Sequence, residues 1–204
     1  MNEKILNDKQ KVELAFWKNE FDRLGEDGFL ELRKNDYIEK TKHFKEYLEK
    51  EAGEGLDVGS GLFSIFEFAP LDRVKITAID PLMDEYTWIF SYRDKVLHYQ
   101  NDGEALGFND NFFDFVVNIN CLDHTPNPQK MVDEMYRVLK TNGKLYLQIN
   151  FDHPESFSPA HYSLFTKQNI DNIMDINKWS LEKEVIEKNQ NYPQDLYNSI
   201  WTKK

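Results

Sequence analysis

Residues 55–63 read Gly55-Leu56-Asp57-Val58-Gly59-Ser60-Gly61-Leu62-Phe63. A short apolar run meets an acid and then two glycines one residue apart. This is the pattern of a buried β-strand ending in a tight turn, where backbone must come close to a ligand. A dinucleotide site would require Gly-x-Gly-x-x-Gly, so that a pyrophosphate rests on a helix N-terminus. The sixth position here is Ser64, so that fingerprint fails. Taken alone, the glycine pair also fits an ordinary strand–helix turn.

Upstream of this turn the spacing predicts two amphipathic helices. Over residues 8–25 an apolar stripe runs through Leu14, Trp17, Phe21 and Leu24. Gly25 and Gly28 are expected to break it. A second helix over 29–50 carries Tyr37, Thr41, Phe44 and Leu48. These helices read as a cap over residues 1–50, ahead of one compact unit at 51–204. Downstream, strand patterns recur at 73–79, 95–99, 112–120 and 144–150, and two last strands, at 180–187 and 196–201, are expected to pair antiparallel. Helices are expected at 62–68, 82–92, after Asn127-Pro128, and from Thr166 to about Met174. Asn142-Gly143 reads as the end of the helix that begins at Pro128.

Alternating strands and helices imply right-handed crossovers and a doubly wound, mostly parallel sheet of seven strands. The expected class is α/β and Rossmann-like, with an antiparallel final strand and an N-terminal helical cap. In such sheets ligands bind beyond the carboxyl ends of the strands. The informative residues are therefore those that follow each strand.

Composition narrows the ligands. The chain of 204 residues carries 25 Lys/Arg against 36 Asp/Glu, a formal net charge of −11. Residues 51–123 hold 4 basic and 14 acidic residues and so account for −10 of it. Nucleic-acid backbones and acidic membrane surfaces require a basic footprint, so neither is an expected partner. Cys121 is the one cysteine, which excludes a disulfide within the chain and a multi-cysteine metal site. A polar N-terminus and the lack of an apolar run near 20 residues fit a reducing cytoplasm. The five histidines are scattered along the chain, and no metal site is expected from them.

After the second strand stands Asp80, where an acid can accept both hydroxyls of a ribose. After the third comes Asp102-Gly103-Glu104-Ala105-Leu106-Gly107-Phe108. Phe113-Asp114-Phe115-Val116 opens the fourth strand, which leads into Asn120-Cys121-Leu122-Asp123-His124. Glu134 and Arg137-Val138-Leu139-Lys140-Thr141-Asn142-Gly143 follow. In this order and spacing the chain resembles the class I S-adenosylmethionine-dependent methyltransferases of the type 11 group. The resemblance covers roughly residues 54–150. It departs from the family at Phe63 (a third glycine), Gly107 (a proline), Thr141-Asn142 (Pro-Gly) and Asp123 (a histidine).

The resemblance implies S-adenosylmethionine as cofactor. Asp57 and the backbone of Gly59, Ser60 and Gly61 would hold its methionine end. Asp80 would hold the ribose. Asp102 would accept the adenine amino group beside the Gly103 N–H. Asn120 and Leu122 would line the region of the methyl group. The implied activity is methyl transfer to a small molecule, at oxygen or nitrogen, possible acceptors being a sugar or another secondary metabolite. A hydroxyl or protonated amine needs a base, for which His124, His161 and Asp123 are the candidates. Trp17, Tyr37 and Tyr162 are candidates for facing the substrate, and residues 151–165 read as a lid. The departures at Phe63 and Asp123 keep open an alternative: a cofactor-binding module without catalysis, acting on a partner.

Overall fold

A computed structural model describes residues 6–69, 72–86, 88, 95–151, 158–188 and 194–204. Helix α1 spans Asp8–Thr41. Its N-terminus is closed by a capping box in which Asn7 and Gln10 exchange side-chain and backbone bonds. At Gly25 the backbone turns to φ 67°, ψ 174°, so α1 is two helical segments joined by a kink. Gly25 thus breaks the helix as expected. Gly28 does not, because its backbone stays helical. The second segment ends at Thr41, and a separate turn, α2 (Lys45–Leu48), completes the stretch expected as one helix to residue 50.

Seven strands follow: β1 (Gly53–Val58), β2 (Val74–Asp80), β3 (Leu97–Gln100), β4 (Phe113–Ile119), β5 (Leu139–Phe151), β6 (Trp179–Glu187) and β7 (Asp195–Lys203). They form one sheet in the order β3-β2-β1-β4-β5-β7-β6. Only β7 runs antiparallel, paired with β5 on one side and β6 on the other. The strand order reverses between β1 and β4, which places the crevice at their carboxyl ends.

One sheet face is covered by α3 (Pro128–Val138) and α4 (Lys167–Ile173). Met131, Met135 and Val138 of α3 pack there on Leu56, Val58, Val116 and Leu147. Asn127 caps α3 through Lys130 N, with Pro128 in its first turn. Thr166 caps α4 by a reciprocal pair of bonds with Asn169. The other face packs Ile76, Phe115, Val117 and Tyr146 against Phe44, with Tyr37 and Leu48 alongside.

Two expected helices are cut short. After β1 only a single 3-10 turn forms, Ile65–Phe68. Phe63, where the family has glycine, is 1% exposed and inserts between Phe29 and Phe68, at ring distances of 6.3 and 6.0 Å. Its burial is worth roughly 2–3 kcal/mol. The apolar stripe of α1 (Leu14, Trp17, Phe21, Leu24) packs on this same cluster. After β2 the 3-10 turn Met83–Glu85 replaces the start of the helix expected over 82–92, of which 87 and 89–92 lie outside the described residues. Asn142-Gly143 does not end α3, which stops at Val138. Asn142 takes φ 64° inside β5, where pairing with β4 slips its register between Phe113 and Phe115.

Candidate functional site

The glycine turn is tied to β2 rather than opened toward solvent. Gly59 N and Ser60 N both donate to Ile79 O, at 2.9 and 3.0 Å. Gly61 N donates to Asp80 Oδ2 at 3.0 Å. The amides of the turn are therefore spent within the protein, and no long helix follows with spare N–H groups. An anionic pyrophosphate would find no cradle here. What the turn presents is bare backbone. A Cβ at Gly61 would meet nothing within 4 Å, whereas one at Gly59 would lie 2.0 Å from Cys121 Sγ. Both glycines hold positive φ, 72° and 62°, in the region other residues rarely adopt.

Asp80 closes β2 at 8% exposure. Its Oδ1 accepts from Leu82 N at 2.8 Å and its Oδ2 from Gly61 N. The carboxylate thus joins the glycine turn to the turn after β2. Beyond β3, Asp102 Oδ1 accepts from Glu104 N, and Glu104 in turn accepts from Thr125 Oγ1 and Asn127 N. Arg137 braces this loop from α3. Its guanidinium is held by both oxygens of Glu134 and donates to Leu106 O, Phe108 O and Asp110. Glu134 also accepts from Leu106 N. Beyond β4, Asn120 adopts φ 52° and accepts from Asn150 Nδ2 at 2.8 Å.

These strand ends line one cleft of about 1000 Å³, counting its open mouth. Among the expected site residues, Gly59, Gly61, Asp80, Asp102, Gly103, Asn120, His124 and Tyr162 lie on its wall. The N-terminal segment of α1 contributes Asn7, Lys9, Gln10 and Glu13, its polar face. Glu104, Thr125 and Met131 also line it and had no individual signal in the sequence. Among the described residues of the wall, the carboxylates of Glu13, Asp80, Asp102 and Glu104 face the one ammonium of Lys9, a setting that favours a positively charged ligand.

Other expected residues stand elsewhere. Leu122 is fully buried in the core under β1 and β4. Ser60 turns its hydroxyl to Gly61 O. Trp17 packs on Phe29 and under the Arg33 guanidinium, because the apolar stripe of α1 faces the body and leaves the polar stripe for the cleft. Tyr37 packs on the opposite sheet face. Of the expected lid, 152–157 lie outside the described residues, while Ala160 and Tyr162 reach the cleft.

Asp57 lies behind the turn, 2% exposed, where Ser64 Oγ donates to its Oδ2 at 2.7 Å. Burial pushes its carboxyl up to about 6, against the opposing pull of Ser64 and of His98. Its folded pKa thus exceeds the unfolded value of 3.8, so the stability it contributes is full below about pH 4 and is lost as pH rises toward 6. Asp57→Asn removes that loss. The variant's unfolding free energy, relative to the unmutated protein, is expected to rise by about 2–3 kcal/mol between pH 4 and 6.5. Urea denaturation across that range checks it, and a constant difference refutes it.

Asp123, His124 and His161 converge, although the histidines stand 37 positions apart and read as scattered in the sequence. His161 Nε2 lies 3.3 Å from Asp123 Oδ2, and the two imidazole rings meet edge-on at 4.6 Å. Tyr162 N donates to Asp123 O at 2.6 Å and so joins the two loops. Asp123 and His161 are buried, and His124 alone of the three lines the cleft. Burial holds the Cys121 thiol well above its ordinary range, which does not suit a thiolate nucleophile.

Residues 56–147 match the sequence profile of the methyltransferase domain family. The match takes in 92 of the 204 residues, so it is this central segment that resembles a methyltransferase domain. A curated protein of Methanocaldococcus jannaschii without an assigned function is 34% identical over 134 residues, or 64% of this chain. The match spans 61% of that relative's length. Among solved structures, an S-adenosylmethionine-dependent methyltransferase of Thermotoga maritima, described as a possible histamine N-methyltransferase, superposes with TM-score 0.67 at 20% identity. The superposition covers 95% of this chain and 99% of that one. A complex of the Haloferax volcanii activator Trm112 with its putative methyltransferase gives TM-score 0.67 at 14% identity, over 98% of this chain and 99% of that one. At these identities the structures share the fold. Among the described residues no helix is long and apolar enough to cross a membrane.

Proposed function

We propose that this protein is a methyltransferase that binds S-adenosylmethionine in the cleft and transfers its methyl group to a small acceptor at oxygen or nitrogen. One observation carries the reading. The ends of β1, β2, β3 and β4 bring Gly59 and Gly61, Asp80, Asp102 and Gly103, and Asn120 onto one wall. In this reading Asp80 takes the ribose hydroxyls, Asp102 and Gly103 the adenine, and bare backbone at Gly59 and Gly61 the methionine end. Asp57, buried behind the turn, supports its shape. The acidic wall favours the sulfonium cation. The cofactor supplies the reactivity, and the protein aligns an in-line displacement and excludes water.

The acceptor would enter beside Asn120, His124 and Tyr162. The net charge of −11 disfavours a phosphorylated or nucleic-acid acceptor and leaves a sugar-like hydroxyl or a small amine as the favoured classes. Phe63, the departure that raised the prospect of a non-catalytic module, points into the α1 contact and is not on the cleft wall. Calorimetry is expected to show binding of S-adenosylmethionine and S-adenosylhomocysteine, and no binding overturns the reading. Turnover on a panel of hydroxylated and amine acceptors separates an enzyme from a binding module.

A further inference from the structure

We propose that Asp123, His124 and His161 hold a divalent transition-metal ion at the acceptor end of the cleft. The donors come from two loops: the 3-10 turn Leu122–His124 after β4, and the segment around His161 before α4. Besides the Tyr162–Asp123 backbone bond, Lys9 of α1 clamps the second loop by donating to Pro159 O and His161 O.

The distances suit an ion. Metal–nitrogen and metal–oxygen bonds near 2.0–2.2 Å put neighbouring ligand atoms about 3–3.5 Å apart. His161 Nε2 is 3.3 Å from Asp123 Oδ2 and His124 Nε2 is 3.9 Å from Oδ1. One ligand atom from each of the three residues lies within 4.8 Å of the others.

An outer layer is also in place. With Nε2 of His124 on the ion, its Nδ1 faces Glu13 Oε2 at 3.5 Å. Trp17 Nε1 fixes Glu13 by donating to Oε1 at 2.7 Å. Metal-ligating histidines commonly give their second N–H to a carboxylate in this way, which sets the tautomer and the ring orientation. Two imidazoles and one carboxylate suit zinc, manganese or iron(II) better than magnesium or calcium.

Three protein donors leave positions open for other ligands, and His124 lines the cleft. The role of the ion rests on the methyltransferase reading, while its binding does not. A hydroxyl acceptor on an open position loses its proton to solvent more readily. Its oxygen then forms the new C–O bond, the C–S bond breaks, and the electron pair stays on sulfur. The products are a methyl ether and a neutral thioether.

The test titrates Zn²⁺, and separately Mn²⁺, into chelator-treated full-length protein by calorimetry. One ion per chain is expected for at least one of the two metals. His161→Gln should weaken it about 100-fold or more. Glu13→Gln should weaken it roughly 10–100-fold, the range for loss of such an outer partner. His98→Gln, at a buried histidine paired with Glu67 away from the cleft, should leave it unchanged. Absence of binding with both metals at about 100 μM, or equal losses in His161→Gln and His98→Gln, overturns the proposal. Co²⁺ added to the unmutated protein needs no variant to fold: visible bands of a nitrogen- and oxygen-ligated ion are expected, and their absence counts against the site. S-adenosylmethionine is titrated in parallel. Cofactor binding without ion binding overturns the metal site alone, and ion binding without cofactor binding overturns the methyltransferase reading alone.

Discussion

Asp80→Ala should weaken binding of S-adenosylmethionine and S-adenosylhomocysteine at least tenfold, about 1.4 kcal/mol, with both affinities falling together. The size follows from what the carboxylate does twice. It accepts from Gly61 N and Leu82 N, and so joins the glycine turn to the turn after β2. In the proposed reading it also accepts from the ribose hydroxyls of the cofactor. Removing it leaves two amides of low exposure without their acceptor and takes away the ribose contact. Asp80→Asn keeps one acceptor oxygen and brings an NH₂ toward the other amide, so it should recover only part of the loss. Calorimetry on folded variants measures this. Affinities unchanged in Asp80→Ala would show that the ribose is held elsewhere.

The second large effect is expected from Arg137→Ala, a residue outside the cleft wall. The change removes the donor that holds Leu106 O, Phe108 O, Asp110 and both oxygens of Glu134. The side chain is 31% exposed, so solvent repays part of the cost. Charged hydrogen bonds to carbonyls and a bidentate carboxylate still leave a loss of about 2–3 kcal/mol in unfolding free energy. The loop it braces carries Asp102 and Gly103, so cofactor affinity should fall as well. Arg137→Lys should recover little, because an ammonium cannot reproduce the planar fork. Denaturation and calorimetry on the same samples check both halves. Full stability in Arg137→Ala would show that the loop is held by its own turns.

The strand ends were legible because each is punctuated locally. Val58 before Gly59, Asp80 before Pro81, and Asn127-Pro128 before α3 mark boundaries that backbone chemistry imposes in any context. The cleft wall follows, since strand order reverses at β1 and β4 and the residues after the strands must meet there. The helical cap was legible as apolar stripes, but not which stripe would face the ligand. Aromatic Trp17 drew attention as a substrate contact, yet burial takes the aromatic side, and Asn7, Gln10 and Glu13 are left for the cleft. Asn142-Gly143 reads as a helix end and serves as a bulge, because pairing with β4 begins at Leu139 and outweighs the local turn preference.

By itself the sequence determined the α/β class, the succession of strands along the chain and the end of the sheet at which the cleft lies. These depend on period, capping and punctuation, which are properties of neighbours along the chain. Tertiary structure decided the rest. It spent the amides of the glycine turn on Ile79 and Asp80, buried Asp57 and Leu122 behind the wall, and drew His161 to Asp123 and His124. Those outcomes depend on which distant groups compete for one acceptor or one buried volume, and that competition exists only once the chain has closed.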